Sequence, residues 1–170
     1  MKPPLLLKGI LDFCFIIMVI LYVSSIISAL YLLLAGSGMP IKINDHPVDE
    51  IDLTSGIFLT ISQLISGVFV YVIYLLRKLV RSFFKNRFFT RIQISLFNLI
   101  GQLILLNTVA ELVMDILSNI FLGLVPQVHL QFVTSFDGFL FKLAIGLFFI
   151  YLGKLFDNAK QLREENELTV

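Results

Sequence analysis

Three ionisable residues interrupt stretches of the chain that are otherwise largely apolar. Glu111 and Asp115 lie four residues apart in the run "NTVAELVMDIL", so on an α-helix they share one face. Lys142 interrupts a later run, "GFLFKLAIGLFFIYLG". Counted from the outer ends of the two helices, Asp115 and Lys142 should lie at similar depth, with Glu111 about one turn deeper. Two carboxylates and an ammonium group could form an interhelical ion pair that fixes packing, or a site that handles protons or cations. A water-filled site with no special role is the third interpretation.

The composition indicates the solvent that surrounds these residues. Of the 170 residues, 58% are hydrophobic and 15% are charged. Soluble domains are usually about 45–50% apolar and about 25% charged. A soluble core of this size cannot bury such an excess, so we expect lipid around most of the chain. The net charge of +1 indicates no direct binding of nucleic acid, and the single Cys14 excludes an intrachain disulfide.

Four stretches have the length and composition of membrane-spanning helices. A span needs about 20 mainly apolar residues to cross a hydrocarbon core about 30 Å thick. The first stretch is longer than the apolar part of a signal peptide and no convincing cleavage site follows it, so we interpret it as a retained span. We predict a single membrane domain, 1–170, with spans at about 11–35, 56–78, 92–122 and 137–157.

The predicted fold is therefore an all-α membrane protein, a four-transmembrane-helix bundle. Lys and Arg favour the cytoplasmic side of a span, and here they cluster at both termini and between the second and third spans. We predict a multi-pass membrane protein with cytoplasmic N and C termini. The basic cytoplasmic loop, 77–91, carries Arg77, Lys78, Arg81, Lys85, Arg87 and Arg91.

Cations and aromatic residues are interleaved in this basic loop. Arg77, Arg81 and Lys85 repeat every four residues on one side of a helix, and apolar residues repeat on another. An amphipathic helix of this kind lies along lipid headgroups, where cations are attracted to anionic lipids. The pattern predicts that the loop faces the lipid bilayer, and docking of a cytosolic partner is the alternative.

The two outer connections could carry a small amount of structure. The segment "IKINDHPV" alternates around Asn44 and Asp45, which predicts a small extracytoplasmic β-hairpin. The segment "VHLQFV" also alternates and could add a strand. His46 and His129 have no zinc-binding spacing, so we expect no metal and no cofactor.

Other polar residues near the spans have structural interpretations. Asp12, at the inner end of the first span, could reach Lys8 or interfacial water. Pairs of serines at small-xxx-small spacing predict close helix approach. No nucleophile elbow, P-loop or Gly-rich dinucleotide turn is present, so we do not expect an enzyme. The serine pairs are Ser24 with Ser28 and Ser62 with Ser66.

Beyond the fourth span, the apolar positions keep a helical period. Lys160 with Glu164 and Arg163 with Glu167 are pairs of opposite charge at i, i+4. We therefore predict that the fourth helix continues about two turns into the cytoplasm. Residues 158–170 form the predicted cytoplasmic tail.

The stretch "LFDNAKQLREENELTV" resembles the C-terminal signature of a family of small bacterial four-span membrane proteins known only as a domain of unknown function. Its members end in an LxxEN[ED]LT[VI]-like string. The segment "RFFTRIQISLFNLIGQ" also resembles the start of the family's third span, whereas Ala159 stands where the family often has glycine. The signature residues are Leu162, Glu164, Glu165, Asn166, Glu167, Leu168, Thr169 and Val170.

Genes of that family often lie beside one for a small helix-turn-helix transcription regulator. The resemblance therefore implies a multi-pass protein of the bacterial cytoplasmic (inner) membrane that is a partner or regulator of a cytosolic protein of that class. Together with the lack of catalytic motifs, this predicts a non-enzymatic membrane protein. The alternative is a small transporter or immunity-type membrane protein that uses Glu111, Asp115 and Lys142 as a polar path. A structural component that forms a homo-oligomer is the third hypothesis.

Overall fold

The computed structural model describes residues 5–35, 41–43, 46–48, 53–83, 90–121 and 128–168. Within these ranges the chain forms four long helices and one pair of short strands. The elements in chain order are α1, Leu5–Ala35; β1, Ile41–Ile43; β2, His46–Val48; α2, Leu53–Phe83; α3, Arg91–Phe121; and α4, Val128–Leu168.

All four helices are long and apolar enough to cross a membrane, so the protein is a multi-pass membrane protein in which four helices make up nearly all of the regular structure. α1, α2 and α4 are longer than the spans predicted for them, since helical hydrogen bonds continue beyond the apolar residues, whereas α3 agrees with its predicted span to within one residue at each end. The stretches whose length and mean hydropathy suit a membrane span are Gly9–Tyr31, Gly56–Phe83, Arg91–Ser118 and Gly138–Glu167.

The two strands pair antiparallel between α1 and α2. Ile41 lies opposite Val48, and Ile43 lies opposite His46. The predicted turn at Asn44 and Asp45 lies outside the described residues. The segment "VHLQFV", which we expected could be a strand, instead forms the beginning of α4. An alternation of six residues is too short to distinguish strand from helix, and continuity with α4 favours the helix.

Consecutive helices run antiparallel, so the bundle has two ends. The end of the bundle that contains the start of α1, the end of α2, the start of α3 and the end of α4 is called the basal end. The opposite end is called the distal end. α3 packs against both α2 and α4, while α1 packs mainly against α2. α3 is therefore the central helix.

Two apolar clusters hold α2 and α3 together, one in each half of the bundle. The distal cluster is small and is centred on Phe58 and Met114. In the basal half, α4 adds aromatic contacts, among them Phe156 with its ring centroid 4.9 Å from that of Phe97. The buried residues of the basal cluster are Val72, Leu75, Leu79, Leu96, Phe97 and Ile100.

The closest helix approach is between α3 and α4, and it depends on glycine. A Cβ on Gly101 would lie 2.7 Å from the carbonyl oxygen of Gly146, so neither backbone leaves room for a side chain at this crossing. Of the serines that we expected to allow close approach, Ser24, Ser28 and Ser66 are exposed and Ser62 is half-buried. Small residues support packing in lipid only where the helices meet.

α1 is the least buried helix. Among its described side chains only Ala29 is buried, and most of its large apolar residues are exposed. Hydrogen bonds link it to the middle of α2: Tyr22 donates to the Gln63 carbonyl at 3.2 Å, and Gln63 Nε2 donates to Ser25 Oγ at 2.7 Å. These polar contacts supplement the limited packing between the two helices.

Candidate functional site

The three ionisable residues singled out from the sequence come together in the distal half of the bundle. Lys142 Nζ on α4 donates to Glu111 Oε2 on α3 and forms an ion pair with it. Asn107 Nδ2, one turn away on α3, donates to Glu111 Oε1 at 2.8 Å. The Glu111 carboxylate therefore accepts a hydrogen bond on each of its two oxygens.

Asp115 belongs to the same site but stands one turn further towards the distal end. From the sequence we expected Asp115 to lie level with Lys142 and Glu111 to lie deeper. The close contact between Gly101 and Gly146 sets the register of α3 against α4. In that register Lys142 lies nearer to the level of Glu111, and it is Glu111 that Lys142 binds.

A cavity of about 270 Å³ opens beside this ion pair. The buried Oδ1 of Asn107, which belongs to the adjoining network, accepts no hydrogen bond from the described residues. The arrangement combines two carboxylates and a lysine in one cavity, and such chemistry can hold a proton or a small cation. The lining residues are Thr108, Glu111, Leu112, Asp115, Gly138, Phe139 and Lys142.

A second ionic cluster lies at the basal end, where Asp12 has partners that were not predicted from the sequence. Asp12 on α1 binds Arg77 Nε, and Arg81 Nη2 donates to the Asp12 carboxylate at 3.2 Å. The Arg77 guanidinium also lies 5.0 Å from the centre of the Phe15 ring. We had considered only Lys8 and water as partners of Asp12. The antiparallel arrangement of α1 and α2 places residue 12 level with residue 77, so it was the signal that could have identified Arg77 and Arg81 as the partners of Asp12.

The remaining basic residues divide between two cavities at the basal end. Lys78 joins Arg77 and Arg81 in a cavity of about 550 Å³ between α2 and α3. Arg91 lines a second cavity, of about 600 Å³, between α3 and α4. Lys85 and Arg87 lie outside the described residues.

The start of α3, beside the first of these cavities, is closed by a reciprocal cap. The backbone N–H of Thr90 donates to Gln93 Oε1 at 3.1 Å, and the N–H of Gln93 donates to Thr90 Oγ1 at 3.3 Å. This is the capping-box arrangement, which satisfies backbone donors that a helix start otherwise leaves free. It fixes where α3 begins relative to the end of α2.

The C-terminal signature forms the last turns of α4. Both predicted i, i+4 pairs are present: Lys160 with Glu164 at 3.3 Å and Arg163 with Glu167 at 2.8 Å. Leu162 is 61% exposed among these charges. Glu164, Glu165, Asn166 and Glu167 are exposed, Leu168 ends the helix, and Thr169 and Val170 lie outside the described residues.

Among the side chains that the structure describes, there is no cluster of three His, Cys, Asp or Glu suited to a metal ion.

Comparisons with known proteins identify a family. Neither the curated proteins nor the solved structures contain a match to this chain. One family model, "Protein of unknown function (DUF2975)", matches residues 45–170, which include α2, α3 and α4. Because the match covers well over half of its length, the chain belongs to the DUF2975 family of proteins of unknown function.

Proposed function

We propose that this protein is a non-enzymatic membrane partner of a cytosolic protein, which it binds through the basal end of α4. The observation that carries the proposal is the length of that helix. α4 has 41 residues, about 60 Å at about 1.5 Å per residue, whereas a hydrocarbon core is about 30 Å thick. A rigid helical segment therefore extends beyond the bilayer.

The surface of this segment suits recognition by another protein. Residues 161–167 are all exposed, and two ion pairs on the helix support it without a neighbouring element. Leu162 is 61% exposed among these charges and lies beyond the predicted span 137–157. An apolar residue on one face of a charged helix can anchor that helix in a partner's groove.

The distribution of Lys and Arg favours the basal end as the cytoplasmic end. The family resemblance implies that the membrane is the bacterial cytoplasmic membrane. A helix-turn-helix transcription regulator is the partner class that the family resemblance implies. Binding to such a regulator would hold it at the membrane.

The test uses a tagged regulator of this class, encoded beside the gene, co-expressed with the full-length membrane protein. We expect the regulator to fractionate with membranes and to return to the cytosol when residues 158–170 are deleted. Leu162→Glu should release it as well, because it places a charge on the apolar face. The matched control is Lys160→Gln, which changes the net charge by the same amount on nearly the opposite face.

The proposal is tested by which variants release the regulator from the membrane. Recruitment that survives the deletion contradicts a role for the tail. Equal release by Leu162→Glu and Lys160→Gln contradicts the apolar face as the binding surface. Equal membrane levels of all variants, measured by immunoblot, are required for either comparison.

A second candidate function, a small transporter or immunity-type protein, is favoured by one observation. Glu111, Asp115 and Lys142 line a single cavity, with the ion pair between α3 and α4 inside it. If the cavity handles protons or cations, flux into proteoliposomes should fall in Glu111→Gln and in Asp115→Asn. Glu164→Gln, which removes a carboxylate from the exposed tail, is the control. Flux that none of these substitutions changes removes this candidate.

A further inference from the structure

We infer that the cavity between the basal ends of α2 and α3 is a binding site for the headgroup of an anionic phospholipid. This site is separate from the proposed partner surface on α4. The lining residues are Tyr74, Arg77, Lys78, Arg81, Ser82, Thr90, Ile92, Gln93 and Leu96.

The residues that line the cavity match both the headgroup and the acyl chains of a phospholipid. Arg77, Lys78 and Arg81 contribute three cations and no lining residue is acidic, so the wall favours a phosphate group. Ile92, which is 64% exposed, and Leu96 contribute an apolar wall along which acyl chains can lie. A volume of about 550 Å³ is in the range of small-molecule sites, about 300–1,000 Å³.

The cavity also lies at the depth in the membrane at which lipid headgroups lie. Arg77, Lys78 and Arg81 lie in the last two turns of an apolar helix that ends at Phe83, and Thr90 lies just before α3 begins. The cavity is therefore at the boundary between the hydrocarbon core and water. Basic pockets between membrane helices at this level are a recurrent form of lipid headgroup site.

Asp12 orients two of the cations but does not neutralise the cavity. One carboxylate faces both Arg77 and Arg81, which still retain most of their N–H donors. Lys78 makes no hydrogen bond or ion pair with the described residues. The capping box satisfies the N–H groups of Thr90 and Gln93 at the start of α3, and the side-chain cations supply the charge that attracts a phosphate.

The experiment measures lipid binding to the purified full-length protein by native mass spectrometry, with phosphatidylglycerol as the anionic probe and phosphatidylcholine as the zwitterionic one. Lys78→Gln/Arg81→Gln removes two cations from the cavity. Its control, Arg91→Gln/Lys154→Gln, removes two exposed cations at the same end of the bundle but outside the cavity. Both double variants have the same net charge.

We expect the cavity variant to bind phosphatidylglycerol at least tenfold more weakly, the control variant to bind nearly as wild type, and phosphatidylcholine to be unaffected. Lys78→Gln alone should weaken binding about fivefold, the effect of one cation near an anionic surface. This single variant leaves the contacts of Asp12 intact, so its effect does not depend on the packing of α1.

Three results would overturn the inference. Equal weakening by the two double variants would mean that the whole basal surface attracts anions without a site. Unchanged binding in Lys78→Gln and in the cavity variant would mean that the cavity takes no lipid. Displacement of the lipid by millimolar inorganic phosphate would mean that the cavity binds free phosphate instead.

Discussion

At the scale of single residues, position in the bundle decides what a residue does. Gly101 and Gly138 are both helical glycines, but only Gly101 lies at a helix crossing. Glu111 and Asp115 have the same chemistry and share a face, yet Glu111 is the carboxylate that Lys142 binds. In both cases the register between α3 and α4 distinguishes residues that are equivalent in the sequence.

Gly101→Ala tests how strongly that crossing constrains the fold. The new methyl group would lie 2.6 Å from Ile150 Cγ1 and 2.7 Å from the Gly146 carbonyl oxygen, so α3 and α4 must separate. We expect a loss of about 1–3 kcal/mol, the usual cost of overpacking, in an equilibrium unfolding measurement in mixed detergent. Gly138→Ala, with no heavy atom within 4 Å of the new Cβ, should show no loss. Equal stabilities of the two variants would contradict the conclusion that α3 and α4 leave no room for a side chain at Gly101.

At the scale of elements, the helices differ in how they are attached. α2, α3 and α4 share an aromatic and aliphatic cluster, and in lipid such contacts stabilise helices through close packing rather than through exclusion of water. α1 has few buried side chains, and polar contacts, with Asp12 at its basal end, supplement its packing against α2. The attachment of α1 should therefore be the most sensitive to the loss of a single charge.

Asp12→Asn tests this attachment. The amide keeps the shape of the side chain but not its charge, so its bonds to Arg77 and Arg81 weaken. We expect faster backbone hydrogen exchange in the basal half of α1, with little change in α3 and α4. The matched control is Asp157→Asn, because Asp157 accepts a hydrogen bond from Gln161 on its own helix. Unchanged exchange in α1 would show that packing alone attaches this helix.

At the scale of the whole molecule, four spanning helices place both termini on one side of the membrane. The distribution of Lys and Arg predicts that this side is the cytoplasm. The proposed partner surface on α4 and the proposed lipid cavity both lie at the basal end. Both proposals therefore place the function of the protein on its basal face.

The orientation can be measured by cysteine labelling in a Cys14→Ser background. A cysteine in place of Asp49, between β2 and α2, should react with a membrane-impermeant maleimide in intact cells. A cysteine in place of Asn158, on the basal part of α4, should react only after the membrane is permeabilised. The reverse pattern would place the basal end outside the cell and would contradict a cytosolic partner.

Much of this architecture could be predicted from local sequence alone. The number of spans follows from the length of each apolar run, and the helical extension beyond the fourth span follows from its periodicity. The ion pairs Lys160–Glu164 and Arg163–Glu167 also follow, because both partners lie on the same helix. These features require no knowledge of how one helix sits against another.

Only the tertiary structure decided which residues meet between helices. The pairing of Lys142 with Glu111, the partners of Asp12 and the two basal cavities depend on helix register. Register is set by contacts such as that between Gly101 and Gly146, in which the absence of a side chain determines how closely two backbones approach. A shift of one helical turn is about 5.4 Å, enough to exchange one partner for another, and no periodicity within a single helix contains that information.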